Sequence, residues 1–142
     1  MTIEINPNRD QIQWERISEI FLLINWGVRT PEDIKASFLT SSYICIVREK
    51  NEIIGFGRTV DDGKYYANLV DIAIHPDFQG QGIGKRIVDT ITKQLVGYNF
   101  ITLTATPGKA GFYEKIGWLN QKSAYLLPKD EKQIKEHCEL RK

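Results

Sequence analysis

The sequence predicts an α/β (α+β) domain on a mixed, mostly antiparallel sheet of about seven strands flanked by helices. Three observations lead there. Apolar residues switch between the two-residue period of strands and the three-to-four spacing of helices, in the order β-α-α-β-β-β-α-β-α-β-β. Turn signals in the middle of the chain join neighbouring strands antiparallel. A strand-helix-strand unit from Ala67 to Ala105 places two strands parallel through a right-handed crossover. At 142 residues and 42% hydrophobic, the chain supports one core. Residues 1–142 therefore read as a single domain, with 128–142 as a charged C-terminal extension.

Each element has its own signal. "MTIEI" alternates as a short strand. From Asp10 to Ile24, the apolar residues Trp14, Ile17, Phe21 and Ile24 form the stripe of an amphipathic helix. The next helix opens on "TPED", with Thr30 as N-cap, Pro31 at its first position and Asp33 placed for a capping box. Its buried face uses Ile34 and Phe38. "SYICIV" and "EIIGFGRTV" read as strands joined at Lys50-Asn51, and Asp62-Gly63 turns the chain again, since both residues tolerate positive φ. A strand follows from about Ala67 to Ile74, then a glycine turn. The helix from Gly82 to about Leu95 buries Ile83, Ile87, Ile91 and Leu95, with Gly97 as its left-handed cap. "FITLTA" is a strand, "KAGFYEKIG" a short helix stopped by Gly117, and "WLNQKSAYLL" a closing hairpin. The tail "PKDEKQIKEHCELRK" is a weakly helical, solvated extension.

Composition excludes several functions. A formal charge of +1 argues against a nucleic-acid partner, which selects a strongly basic face. No apolar run reaches the roughly 18 residues of a membrane span. The N-terminus is too polar for a secretory signal. Cys45 and Cys138 are the only cysteines and have no metal-ligand spacing, so two reduced thiols in a cytoplasmic protein and no metal are expected.

The glycine turn "HPDFQGQGIGKR" carries the chemistry. The first amides of a helix lack intrahelical partners and lie at the positive end of its dipole. Glycines at 80, 82 and 84 let a ligand approach that backbone without meeting a Cβ, which makes a phosphate cradle. Lys85 and Arg86 add charge beside it, or are ordinary helix-surface cations. The loop fits neither a Walker A sequence, since Gln79 and Arg86 occupy its ends, nor a dinucleotide fingerprint, since Lys85 replaces the third glycine.

Gln79-x-x-Gly82-x-Gly84, directly after a strand, resembles the acetyl-CoA signature R/Q-x-x-G-x-G/A of the GNAT superfamily of N-acetyltransferases. "PGKAGFYEKIGW", residues 107–118, is similar to that family's second motif, a Phe-Tyr pair on a short helix before a Gly-aromatic turn. Within the family, "INWGVRTPEDIKASF", "VDIAIHPDFQGQGIGK" and the Phe-Tyr-x-x-x-Gly helix look most like small bacterial proteins akin to plant and cyanobacterial serotonin (aralkylamine) N-acetyltransferases.

The resemblance implies a sheet splayed between its fourth and fifth strands, where acetyl-CoA lies against Ile72, Ala73 and Ile74. Its diphosphate would rest on amides of Gln79, Gly80, Gln81, Gly82, Ile83, Gly84 and Lys85, with Phe112 as a wall or a core residue. Tyr113 matches the family's general acid for the departing thiolate; its alternative is packing. The acceptor is a small-molecule primary amine, with Trp26 and Arg29 as candidates to line its site and Arg29 also free to pair with Glu32 or Asp33. The base is open. Asn68 and Val70 stand where related enzymes carry an acid-base residue, and Asp71 lies on the opposite face from Asn68 unless a bulge shifts the register. A water chain is the preferred route. His75 reads as a turn residue. Protein or peptide acetylation and a non-catalytic acyl-CoA-binding module are the alternative functions, and a homodimer is a family-based expectation.

Overall fold

The computed structural model describes residues 1–139. They fall into two compact units, one ending at Thr104 and one beginning at Ala105.

The first unit holds a five-stranded sheet in the order β1 (Thr2–Ile5), β2 (Ile44–Glu49), β3 (Glu52–Asp61), β4 (Tyr66–Ile74) and β5 (Phe100–Leu103). β1 to β4 pair antiparallel and β4 pairs β5 parallel. Lys50 and Asn51 both take positive φ, as the tight β2–β3 turn requires. The β3–β4 connection is wider: only Gly63 has positive φ, and Asp62 works through its carboxylate, which accepts from the amides of Lys64, Tyr65 and Tyr66.

One sheet face carries α1 (Trp14–Leu23) and α2 (Pro31–Phe38). The amphipathic stripe from Asp10 begins with a 3-10 turn, Arg9–Gln11, so the α-helix starts four residues late. Thr30 accepts from Asp33 N, forming one half of the anticipated capping box. Trp14, Ile17, Ile20 and Phe21 of α1 and Ile34 and Phe38 of α2 are buried with Phe56. Phe21 and Phe38 meet Phe56 edge-on at centroid distances of 5.2 and 5.9 Å, geometries that add about 0.5–1.5 kcal/mol each to simple burial. α3 (Ile83–Gln94) lies against the other face through Ile87 and Ile91, where β3 presents Gly55 and Gly57. A Cβ at Gly57 would stand 2.9 Å from both Ile72 Cδ1 and Ile87 Cγ2, so the helix seats closely only because that side chain is absent.

The second unit contains α4 (Ala110–Lys115) and α5 (Glu131–His137). Here the expected closing hairpin does not form. The described residues contain five strands, not about seven, and none lies in 118–127. The apolar residues there sit at the ends, Trp118-Leu119 and Tyr125-Leu126-Leu127, around a polar centre, and Leu119, Tyr125 and Leu127 are almost fully exposed. Strands this short have no alternating face to bury, and an isolated hairpin is marginal in water. The helical reading of the tail is correct over Glu131–His137, capped by Asp130.

Candidate functional site

The site begins where β4 and β5 part. Their pairing runs from Tyr66↔Phe100 to Leu69↔Leu103 and stops, while β4 continues to Ile74. The β5-facing edge of residues 70–74 is therefore unpaired, which is the fork expected between the fourth and fifth strands. His75 N donates to Ile54 O on the β3 side at 2.8 Å, so by the alternation of an antiparallel ladder the amide and carbonyl of Ile74 face the fork. The same alternation turns Ile72 that way and Ala73 toward β3. Ile72 and Ile74 direct side chains at the α3 face, and Ala73 joins the core under α1 and α2.

That division depends on a bulge. Phe56 pairs Ala73 and Arg58 pairs Val70, so Gly57 alone opposes both Asp71 and Ile72. Asp71 takes the left-handed φ of 54°, uncommon outside glycine though least so for Asp and Asn. Asp71 stands with Ala73 on the face of α1 and α2, as simple alternation gives, and the bulge shifts the register so that Asn68 and Val70 fall on that face too. There Arg29 Nη1 donates to Asp71 Oδ1 at 3.1 Å and Arg58 Nε to Oδ2 at 2.8 Å. The side chains are 9% (Asp71), 12% (Arg58) and 40% (Arg29) exposed. Arg58 also donates to Ser37 O and Ser41 Oγ, tying β3 to the end of α2. With both oxygens engaged by guanidinium groups, Asp71 is a structural anion and a poor candidate base. Arg29 pairs with neither Glu32 nor Asp33. Its Cζ stands 4.2 Å from the Phe21 ring centroid, and Trp26 stacks on the same ring at 5.7 Å. The two acceptor candidates thus converge on one phenyl ring.

At the other end of the fork the chain turns through Pro76–Phe78. His75 Nδ1 accepts from Asp77 N at 3.1 Å, so His75 caps this turn, as its position before proline implied. Gln79 Nε2 donates to Ile74 O at 3.0 Å, and its amide points to Pro76 O at 3.4 Å. Gln79 fastens the loop to the strand end, and its amide does not belong to the free set. Gly80 and Gly82 both adopt φ of 78°, and a Cβ on either would meet nothing within 4 Å, so the concave side of the turn is open. Gly82 is the N-cap of α3. Among the described residues the amides of Gly80, Gln81, Gly82, Ile83, Gly84 and Lys85 make no hydrogen bond; the first to do so is Arg86 N, to Gly82 O at 3.3 Å. Six successive donors at the positive end of a twelve-residue helix suit a diphosphate. Lys85 Nζ is paired with Asp89 Oδ2 at 2.6 Å on the helix surface, and Arg86 is exposed.

In the second unit, Phe112 and Tyr113 lie on α4 with ring centroids 4.9 Å apart, and Trp118 meets Tyr113 edge-on at 6.3 Å. Burial pushes the Tyr113 phenol above its ordinary pKa, so it holds its proton at neutral pH, the state a general acid needs. Burial also pushes the Cys45 thiol up to about 12, which removes it as a nucleophile. Among the described residues no group of three or more metal-ligating side chains is gathered. Arg58 was missed as a site residue. A lone cation inside the apolar run "EIIGFGRTV" was its signal, since a buried guanidinium needs a buried partner.

A family model described as "Acetyltransferase (GNAT) domain" matches residues 40–118. An uncharacterized N-acetyltransferase ycf52 of Gracilaria tenuistipitata var. liui is 38% identical over 102 residues, 68% of this chain and 56% of that protein. Its namesake in Porphyra purpurea is 32% identical over 118 residues, 79% of this chain and 68% of the relative. The chain thus spans little more than half to two thirds of these relatives. Among solved structures, a probable acetyltransferase from meticillin-resistant Staphylococcus aureus superposes with a TM-score of 0.73 at 21% identity, covering 88% of this chain and 98% of that one. One from Deinococcus radiodurans gives 0.75 at 17% identity and 87% of each chain. At such identities these likenesses concern the fold.

Proposed function

The chain belongs to the GNAT acetyltransferase family, and from that premise we propose that it transfers the acetyl group of acetyl-CoA to a primary amine of a small molecule by direct attack in a ternary complex. The observation that carries this reading is the run of unpartnered amides from Gly80 to Lys85, placed one strand-end away from the unpaired edge of Val70–Ile74. A diphosphate and an amide-bearing arm need those two surfaces in that order. Acetyl-CoA, when bound, supplies the activated thioester.

The chain's own groups supply the rest. Amides 80–85 bind anionic oxygen, and Gln79 holds the loop to Ile74. The fork-facing groups of Ile72 and the amide of Ile74 offer strand-type hydrogen bonds, the Ile74 carbonyl being taken by Gln79. An acceptor amine with a pKa of about 10.4 costs about 4–5 kcal/mol to deprotonate at neutral pH, so a proton path is required. Since Asp71 is engaged, ordered water beside Asn68 is the better route, and Tyr113 protonates the departing sulfur. The likeness of three stretches to serotonin N-acetyltransferases and the Phe21-Trp26 stack support an acceptor pocket with an aromatic wall. No nucleic-acid or membrane partner is proposed; no helix of the described residues is long and apolar enough to cross a membrane. A cytoplasmic homodimer completes the proposal.

The engagement of Asp71 favours one second reading, an acyl-CoA-binding module without turnover. CoA release with an amine and peptide panel at saturating acetyl-CoA decides between them. Release that falls in Tyr113→Phe supports transfer; tight binding with no release for any acceptor supports the module.

A further inference from the structure

We infer that Arg29 recognises an anionic group on the acceptor amine, a carboxylate or a phosphate monoester, and that Asp71 is its positioning residue; this rests on the transfer reading above. The two arginines on Asp71 are not equivalent. A guanidinium has five N–H donors. Arg58 is nearly buried and spends Nε and Nη1 on Asp71, Ser37 and Ser41. Arg29 is 40% exposed and spends only Nη1 on a protein partner, leaving Nε and Nη2 without one among the described residues. One arginine closes the network and the other opens it outward.

The charge count sets the sign of what binds. Two guanidinium groups against one carboxylate leave an excess positive charge, and no other carboxylate among the described residues pairs with either arginine. Both oxygens of Asp71 are taken, so an ammonium finds no acceptor there. Position sets the role. Asp71 lies two residues past Leu69, the last β4 residue paired with β5, so the network stands at the apex of the fork. Arg29 is held before any ligand arrives: its guanidinium lies over Phe21, its carbonyl accepts from Ser18 Oγ, and one amine is fixed by Asp71. A cation ordered in advance loses little freedom on binding, and its planar fork matches carboxylate or phosphate oxygens. Trp26, stacked on the same phenyl ring, supplies an apolar neighbour for the rest of the acceptor.

The test uses the full chain at saturating acetyl-CoA with paired acceptors that differ in one anionic group, tryptamine against tryptophan and ethanolamine against phosphoethanolamine. The expected result is a preference in kcat/KM for the charged member of at least one pair, of about 10–100-fold for a hydrogen-bonded charge. In Arg29→Gln that ratio falls toward one, and in Arg29→Lys it is partly kept. Asp71→Asn erodes the same ratio through KM rather than kcat, which general loosening of the fold does not do. Which pair responds tells carboxylate from phosphate. Equal use of both members by the wild type, preference for the neutral ones, or a ratio unchanged in Arg29→Gln overturns the assignment while leaving acetyl transfer standing. Binding of acetyl-CoA with no acceptor turned over, or no binding of acetyl-CoA by calorimetry, overturns both.

Discussion

Gly82 has open space where a side chain would go, so a substitution there acts through backbone strain and through the ligand's approach, not through crowding inside the fold. Gly82→Val should cost about 1–3 kcal/mol in the folded state, since φ of 78° is foreign to a β-branched residue. It should weaken acetyl-CoA by well over tenfold in calorimetry, with circular dichroism confirming the fold. Asp71 makes the opposite case, a side chain whose loss is internal. Asp71→Ala leaves the Arg58 guanidinium buried without its carboxylate, and urea unfolding should show a loss of about 3–5 kcal/mol. Tyr113→Phe removes a proton donor and little volume. It should lower kcat by about 10²–10⁴ and abolish the alkaline limb of the rate profile, which burial moves above the ordinary range of a tyrosine phenol.

Among the elements, the helices and turns with local causes were readable in advance. Thr30-Pro31, Lys50-Asn51 and the Gly82 start of α3 announce themselves through capping and positive φ and stand where expected, while Gly97 has the expected positive φ but lies two residues past the C-cap, Leu95. The β4 bulge could be named only as a condition, because its cause is remote: it is Gly57, on another strand, that faces Asp71 and Ile72 together. Alternation alone set Asp71 with Ala73 and opposite Ile72, as the structure has it, but also opposite Asn68, which the bulge reverses. Gly57→Ala should cost about 1–3 kcal/mol, since its Cβ meets Ile72 and Ile87 at once. The wide loop after β3 is held by carboxylates. Burial raises the pKa of Asp61, but hydrogen bonds from Ser42, Thr59 and Gly63 outweigh it, and the folded value lies below the ordinary one. Its stabilising contribution is therefore complete above about pH 4 and is lost as pH falls through the folded value. Urea midpoints measured from pH 7 to pH 2.5 should fall in the acid range, and less steeply in Asp61→Asn.

For the molecule as a whole, the two motifs legible in the sequence lie in different compact units, the glycine turn in the first and Phe112-Tyr113 in the second. The family and the fork followed from residues close together in the chain. The strand count did not, because whether "WLNQKSAYLL" forms strands depends on a neighbour to bury its Leu and Tyr side chains, and no local signal supplies one. Residues 80–85 are where these scales meet, as a backbone cradle on a helix end beside an open strand edge. Isothermal titration of the wild-type protein with acetyl-CoA tests that claim most directly. Saturable one-to-one heat that is lost in Gly82→Val and retained in Lys85→Ala is the result expected of main-chain recognition. Heat that is absent, or that survives at position 82 and disappears with the lysine, contradicts it.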